Sequence, residues 1–594
     1  MPDHSFRESN VKRRASIVYG SVGKGGLFLP SDFIKKAPAI EGDDEGVEED
    51  EESAPTEYDP LLSTAPPGTQ FGSTKMRRHS SVHQEILEQE RDLLEDNKIS
   101  ISHNPGRDEE EDLTETFEEA VKSNKLVTSN SIELKTLIKS SIPLVITFLL
   151  QNSLSTVSVF TVGHLGATEL AAVSMGAMTA NITGYATIQG IATALDTLCP
   201  QAFGAKKYHL VGIYLQKCVA LILTIMFPIL IIWIFFGYRL IVLLIPDKET
   251  AKLAAVYLQY IAPGIPAYIL FECGKRFLQA QGVYHISTYV LLFAAPSNAI
   301  MNVVLVKHLG YLGAPVAVAI NYWLMTIGLF LSTVYGIKAE DTPSGFHPLK
   351  CWAGLNIKQA FSAWKNLILL AVPGLIMLEA EFLAFEILTL FASYLGTISL
   401  AAQSIGTTMA SLTYQVPFAI GIASSTRIAN FLGAGMAASA KKSTQVALSF
   451  GLVISVLNFL ALFVFQTEIA QLFTNDERVI KKVESVMWLI ALMQISDAVN
   501  ANSAGCLRGQ GQTKIGGIVN LFSYYVVGLP LSIYLSFYNE TFKGSLHGLW
   551  IGSTVALTII GAVQSYYSLF ADFDKLCEEA RQRTSEGEAI GAAH

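Results

Sequence analysis

The sequence predicts an all-α membrane protein with twelve transmembrane helices in two pseudo-symmetric six-helix lobes. Only 16% of its 594 residues are charged and 51% are hydrophobic, whereas an average soluble protein has about 25% charged residues. Apolar runs such as residues 215–236 and 446–465 are long enough to cross about 30 Å of hydrocarbon as helices. Similar motifs also recur about 230 residues apart, which predicts two related lobes.

The region before the first apolar run, residues 1–130, is polar and carries the acidic stretch EGDDEGVEEDEE at residues 41–52. It lacks apolar periodicity and opens without a cleavable signal peptide, so we expect a disordered cytosolic tail. Ser16 and Ser80 each follow an Arg-Arg pair at the spacing that basophilic kinases prefer, which makes them candidate phosphorylation sites. Chance explains both matches equally well in a serine-rich tail.

Apolar runs between glycine, proline and charge clusters number about twelve, and a polar linker separates them into two sets of six. The predicted divisions are a tail at 1–130, an N-lobe at 131–337, a linker at 338–362, a C-lobe at 363–572 and a C-terminal tail at 573–594. Lysine and arginine are more frequent in short loops on the side of both tails, which predicts cytosolic termini. The last loop on the opposite side holds Asn539 in the sequon NET, a candidate glycosylation site.

The repeat is visible in three pairs of motifs. LGATELAAVSMG (165–176) and LGTISLAAQSIG (395–406) share seven of twelve positions, and Pro143 and Pro373 are separated by the same 230 positions. GIATALDTLCPQAFGA and LQAQG in the first half correspond to GIASSTRIANFLGA and LRGQG in the second. Because each repeat has an even number of helices, the pseudo-two-fold axis should run along the membrane normal, with a substrate cavity between the lobes.

Three acids interrupt an otherwise apolar helix at residues 375–390: Glu379, Glu381 and Glu386. A charged carboxylate at mid-membrane costs about 2.5–3.5 kcal/mol, so intramembrane acids indicate function. Burial and a second acid nearby favour the protonated form, so such a carboxyl could hold a proton and release it to an arriving cation. At about 100° per residue, however, Glu379 and Glu381 point in nearly opposite directions. We therefore favour a structural pairing for Glu379.

The sequence lacks the residues that several other classes of protein require. The six cysteines contain no CxxC pair, which argues against a zinc site or a disulfide framework. Neither a Walker A sequence nor a cluster of metal ligands nor a Ser-His arrangement is present, so we expect no ATP-driven pump, no enzyme and no cofactor. Nothing indicates a nucleic-acid partner. Sodium coupling and a lipid or metabolite flippase remain as alternatives to proton coupling.

Four stretches together resemble the multidrug and toxic compound extrusion (MATE) transporters: GHLGATELAAVS, AVPGLIMLEAEFLAFEI, RIANFLGAG and CLRGQGQTKIGGIVNLFSYYVVGLP. The similarity covers residues 135–572 and is closer to the eukaryotic branch, while the long acidic tail resembles fungal members. The resemblance implies a proton-coupled antiporter, expected as a monomer, that exports organic, mainly cationic, compounds by alternating access between the lobes.

The family pattern also transfers residue by residue. It places the essential seventh-helix glutamate on Glu381, a second acid on Glu386 and the tenth-helix acid on Asp497. Polar and aromatic cavity positions fall on Gln403, Asn520, Tyr524 and Tyr525. Three charged residues at helix ends could form a gate in which Asp196 pairs with an arginine, although anchoring at the membrane surface is the favoured reading: Asp196, Arg427 and Arg508.

Two positions depart from the family pattern. Thr408 stands near the place where some eukaryotic relatives carry a further acid, and Gln151 and Asn152 replace the first-helix aspartate of some prokaryotic relatives. The departures place the coupling acids in the C-lobe.

The tail contains EYDPLL, which resembles an acidic dileucine sorting signal formed by Glu57, Leu61 and Leu62. In fungal transporters such signals direct traffic to the vacuole. The match therefore favours the vacuolar membrane, with the plasma membrane as the alternative.

Overall fold

The structure is a computed structural model that describes parts of residues 91–120, and residues 127–592 apart from 163–164, 244–247, 340–341, 345, 353 and 474–476. The candidate phosphorylation and sorting residues lie outside the described residues: Ser16, Ser80, Glu57, Leu61 and Leu62.

The N-lobe contains the first six membrane helices within the described residues. Helix α2 is interrupted by a π-helical turn at Asn181–Tyr185 and by a break before its last segment. The bounds are Asn130–Val162 for α1; Ala167–Ala180, Ala186–Ala192 and Leu195–Gly204 for α2; Tyr208–Val242 for α3; Lys248–Ala280 for α4; His285–Leu309 for α5; and Gly313–Tyr335 for α6.

The C-lobe repeats this plan after a connection that contains two short helical turns, Pro348–Cys351 and Ile357–Ala360. Another short helix, Gln466–Phe473, precedes α10. The bounds are Lys365–Tyr394 for α7, Thr397–Gly433 for α8, Ala437–Val464 for α9, Glu477–Gln510 for α10, Thr513–Tyr538 for α11, Leu546–Leu569 for α12 and Phe573–Ala592 for a final helix, α13.

The prediction of twelve transmembrane helices is confirmed, although composition alone marks fewer. Eight segments of the described chain are long and apolar enough to span a membrane, and one of them, His285–Tyr335, contains both α5 and α6. The remaining three membrane helices, α2, α8 and α10, are more polar. Helix α8 packs against α10 in its own lobe and against α1 and α2 of the other lobe. The polar helix α8 therefore lies where the lobes meet, which shields it from lipid there.

The lobes touch closely on the face where α1 begins and α12 ends, which we call the tail face. A methyl group added at Gly204 of α2 would collide with the backbone of Asn430 in α8, and one added at Gly433 would collide with the backbone of Gln201. Gly204 and Gly433 are 229 positions apart, and so are Gln201 and Asn430. The two contacts are therefore equivalent in the repeat. Only glycine allows helices to approach this closely, so the tail face is closed.

Helix α13 lies across this closed interface and is not an extended tail. Its buried face, which includes Phe573 and Leu576, belongs to an apolar cluster with residues of α8 and α9 in the C-lobe. Its later part bonds to the N-lobe: Arg583 donates to Gln201 Oε1 at 2.9 Å, and Glu588 pairs with Lys207 at 2.9 Å. One helix therefore contacts both lobes.

The sequence also predicted disorder throughout residues 1–130, but some described residues of this region are buried. Leu93, Leu94, Leu113 and Phe117 are all almost fully inaccessible and belong to the same apolar cluster as Phe573. A part of the N-terminal region is thus packed against the tail face. Asn539 lies at the opposite end of the bundle, between α11 and α12, where its Oδ1 accepts a hydrogen bond from the backbone N–H of Thr541.

Candidate substrate and coupling site

A small cavity lies inside the C-lobe, between α7, α8, α10 and α11. Its volume is about 20 Å³, enough for roughly one water molecule. The polar side chains and the aromatic ring that line it come from all four helices: Glu381, Tyr414, Phe418, Asn500, Arg508 and Asn520. The cavity wall is therefore mixed, with polar groups beside the apolar side chains of Met377, Leu378 and Ala504.

The two principal acids lie in the same region of the C-lobe, but only Glu381 lines the cavity. Glu381 lines it from α7, with Asn500 of α10 beside its carboxylate. Asp497 lies one turn before Asn500, is almost fully buried and is close enough to Glu381 for the two charges to interact. Its Oδ1 has no hydrogen-bond partner within the part of the chain that the structure describes. The structure thus brings Glu381 and Asp497 together, as the family pattern implies.

Of the four predicted cavity residues, only Asn520 lines the cavity. It donates to Met377 O at 3.0 Å and accepts from Gln564 at 2.8 Å. The buried Tyr524 interacts with both acids, and its hydroxyl has no hydrogen-bond partner among the described residues. Tyr525 and Gln403 do not line this cavity; the Tyr525 hydroxyl instead donates to Ala380 O at 3.1 Å.

The other two acids of α7 point elsewhere. Glu379 faces α2 of the N-lobe, where the Thr187 hydroxyl donates to its Oε1 at 3.3 Å. The helical geometry that separated Glu379 from Glu381 in the sequence is therefore observed. Glu386 is half-buried and does not line the cavity. Its predicted assisting role has no support from proximity.

A second group of buried charges lies in the N-lobe, around Glu272. This carboxylate accepts from Lys275 at 3.0 Å, from Arg276 at 2.6 Å and from Gln151 at 2.5 Å. Asp196 pairs with Arg276 at 3.2 Å. Two acids and two bases thus neutralise each other, as a buried ionic cluster requires.

The structure corrects the partners of the suggested gate. Arg427 does not pair with Asp196. Its guanidinium instead binds the carboxylate of Glu133 at the start of α1, with Nη2 to Oε1 at 2.5 Å and Nε to Oε2 at 2.9 Å. The ion pair joins the two lobes at the closed tail face. Asp196 is occupied by Arg276 of its own lobe.

We expect the substitution Glu133→Gln to destabilise the protein by about 3 kcal/mol, because it removes the carboxylate from a buried ion pair. The apparent melting temperature of the purified protein should fall clearly. The matched control is Glu578→Gln, which breaks the exposed Arg581–Glu578 pair and should cost less than about 1 kcal/mol. Equal melting temperatures for the two variants would contradict a stabilising role for the Glu133–Arg427 pair.

Sequence reasoning missed three of the polar and aromatic lining residues, and one of them left a signal. Asp497, Asn500, Ala504 and Arg508 recur every three or four residues, so they share one face of α10. This spacing indicates that Asn500 faces the same way as the acid.

Tyr414 and Phe418 had no comparable signal. They stack on each other with ring centroids 5.5 Å apart on α8. Aromatic residues four positions apart are common in any packed helix.

The comparison with family models is decisive at this point. The MatE model matches the chain twice, at residues 143–304 and at residues 373–534. The chain belongs to the MATE family. The two matches are 230 positions apart at both ends, which confirms the predicted repeat.

Relatives agree with this assignment. "Uncharacterized transporter YDR338C" of Saccharomyces cerevisiae is 45% identical over 448 residues, which are 75% of this chain but only 62% of that protein. "Multidrug and toxin extrusion protein 2" of Mus musculus is 33% identical over 72% of this chain and 73% of its own length. This MATE protein is therefore a multi-pass membrane transporter of the eukaryotic branch and not an enzyme.

A solved structure shows the same architecture. The crystal structure of the eukaryotic MATE transporter AtDTX14 superposes with a TM-score of 0.70 at 27% identity, over 77% of this chain and 99% of that one. The twelve helices in two lobes are thus shared with an experimentally determined MATE transporter.

Proposed function

We propose that this MATE transporter is a proton-coupled antiporter that exports organic cations by alternating access. The observation that carries the proposal is that Glu381, which lines the C-lobe cavity, and the buried Asp497 are close enough for their charges to interact. Two carboxyls in a low-dielectric site cannot both remain ionised without compensating charge, and the one guanidinium among the described residues of the cavity wall, Arg508, can offset only one of them. A proton or a cationic substrate supplies that charge, and the two compete for one site.

The buried carboxylate oxygen Oδ1 of Asp497 supports the proposed exchange of a proton for a cation. Asp497 Oδ1 has no hydrogen-bond partner among the described residues although its side chain is buried. A buried acceptor in this condition is costly, and protonation or a bound cation relieves the cost. The exchange needs no covalent step, since the acid only has to bind one cation at a time.

Alternating access requires the lobes to move as units about this site. The structure has its tail face closed, where Gly204 and Gly433 contact the opposite lobe. In the proposed cycle, substrate enters when the tail face opens, and protons enter from the opposite face. We place the termini in the cytosol, so that opening of the tail face admits substrate from the cytosol.

Transport by the reconstituted full chain tests the proposal. Proteoliposomes should accumulate a fluorescent organic cation when a pH gradient is the only driving force, and dissipation of that gradient with a protonophore should stop accumulation. Accumulation driven by a sodium gradient at uniform pH would favour sodium coupling, because carboxylate oxygens also bind sodium. Scrambling of labelled lipid without cation transport would support a flippase.

The proposed location is the vacuolar membrane, with the plasma membrane as the alternative. The dileucine-like sequence at Leu61 and Leu62 supports the vacuole. A fluorescent fusion should move away from the vacuole when both leucines are changed to alanine. An unchanged distribution would remove this sequence as a sorting signal.

A further inference from the structure

One buried cation of the cavity lacks the partner that comparable cations have. Lys275, Arg276 and Arg427 each have a carboxylate oxygen within 3.2 Å. Arg508 is only 4% exposed and lines the cavity together with Glu381. Among the described residues it has no carboxylate within ion-pair distance, and its Nε donates no hydrogen bond.

The surroundings of Arg508 hold it in place without using its donors. Its guanidinium lies over the ring of Phe418, 5.5 Å from the centroid, which is a favourable position for a cation. Its backbone carbonyl accepts a hydrogen bond from Thr197 of the N-lobe at 2.5 Å. Phe418 in turn packs edge-to-face on Phe148 of α1, with the centroids 5.0 Å apart. The side chain is therefore fixed at the cavity wall.

Two acids, one from each lobe, lie near Arg508 but beyond ion-pair distance. Asp196 of α2 and Glu381 of α7 both interact with its charge, and Tyr414 of α8 and Arg276 of α4 are the other charged or titratable groups nearby. Asp196 is already paired with Arg276, and Glu381 belongs to the proposed proton site. The donors of Arg508 are consequently available to a ligand.

Given the proposed function, we propose that Arg508 is an anion-binding subsite, so that among solutes with an ammonium group the cavity prefers those that also carry a carboxylate. The ammonium group of the solute would lie at Glu381 and Asp497, and its carboxylate at Arg508. A guanidinium binds a carboxylate through two parallel hydrogen bonds, which suits a planar acid group. A simple monocation would satisfy the acids but would be repelled by Arg508. The cavity must widen to admit either solute, which opening of the lobes provides.

Two solutes that share an ammonium group and differ in a carboxylate test the anion-binding subsite. Choline and glycine betaine share a trimethylammonium group, but choline ends in a hydroxyl and betaine in a carboxylate. Transport of each radiolabelled solute is measured in proteoliposomes that contain the full chain. The wild type should prefer betaine over choline by about fivefold or more. A wild-type preference for choline would overturn the proposal.

Arg508→Gln should lower the betaine-to-choline transport ratio by about tenfold, because betaine loses its anion partner and choline loses its repulsion. Arg508→Lys retains the positive charge but loses the two parallel donors of the guanidinium. It should therefore lower the betaine-to-choline transport ratio by about threefold. It also supplies the test if the Gln variant does not fold. The control is Lys217→Gln, which removes a buried cation that does not line the cavity and should leave the ratio unchanged.

The main rival is that Arg508 only secures the closed tail face through Asp196. In that case Arg508→Gln would change choline and betaine transport by the same factor, and an unchanged ratio would overturn the subsite. The proposed proton coupling has its own test: it is overturned if wild-type transport of both solutes does not depend on the pH gradient. The dependence of the ratio on Arg508 can hold in either event.

Discussion

Export driven by a pH gradient should fall below about a tenth of the wild-type rate in Glu381→Gln and in Asp497→Asn. An amide side chain cannot take up or release a proton near neutral pH, so neither variant can exchange a proton for substrate at that position. Each variant removes one of two interacting carboxyls, Glu381 at the wall of the C-lobe cavity and the buried Asp497 near it. The double variant should show no further loss, because the acids act as one site. The rate of cation accumulation in proteoliposomes measures all three.

The chain offers a matched control on the same helix. Glu386→Gln removes a half-buried acid of α7 that does not line the cavity. We expect it to keep at least about half of the wild-type rate, as for a substitution that removes no contact of the site. Equal loss in Glu386→Gln and Glu381→Gln would show that the cavity does not define the coupling site.

A second large effect should follow from Gly204→Ala or Gly433→Ala. The added methyl group meets backbone atoms of the opposite lobe, which cannot rotate away as a side chain can. Overpacking of this kind costs about 1–3 kcal/mol, and the cost is borne only when the tail face is closed. The closed state should therefore become about five- to a hundredfold less populated.

Accessibility of the cavity measures this shift. A cysteine introduced by Ala504→Cys at the cavity wall should react faster with an impermeant maleimide added on the tail side when Gly433 is Ala. Cys577 is replaced by Ser in this background, since it is the one half-buried cysteine among six. The control is Gly237→Ala, where the nearest atom to the new methyl group is 3.6 Å away. Slower or unchanged labelling in Gly433→Ala would contradict a closure that depends on these glycines.

The architecture was predictable because its signals are local or periodic. Apolar length identifies most of the spans, and the motif pairs near 230 positions identify the two lobes. Even the polar α2, α8 and α10 were found, because each starts or ends at the repeated glycine-containing motifs. The burial of Leu93 and Phe117 was not predictable, since a few apolar residues in an acidic region carry no periodicity.

The site was predictable only in part. Glu381 and Asp497 emerged because acids are rare in apolar helices and the family pattern falls on them. Ion-pair partners did not emerge, since they depend on how helices from two lobes rotate against each other. Arg427 binds Glu133, which lies 294 positions away in the other lobe. The sequence suggested that Asp196 pairs with an arginine but not which one. Its partner is Arg276, and the two arginines of the suggested gate form no ion pair with it.

Helix α13 imposes a mechanical condition on the transport cycle. A helix of about 20 residues is a stiff rod roughly 30 Å long, and this one bonds to Gln201 and Lys207 on one side while its apolar face stays on α8 and α9 on the other. Such a rod cannot stretch when the gap beneath it widens. In the proposed alternating-access cycle, opening of the tail face would therefore require one end of α13 to detach, and the contacts of Arg583 and Glu588 would slow that step.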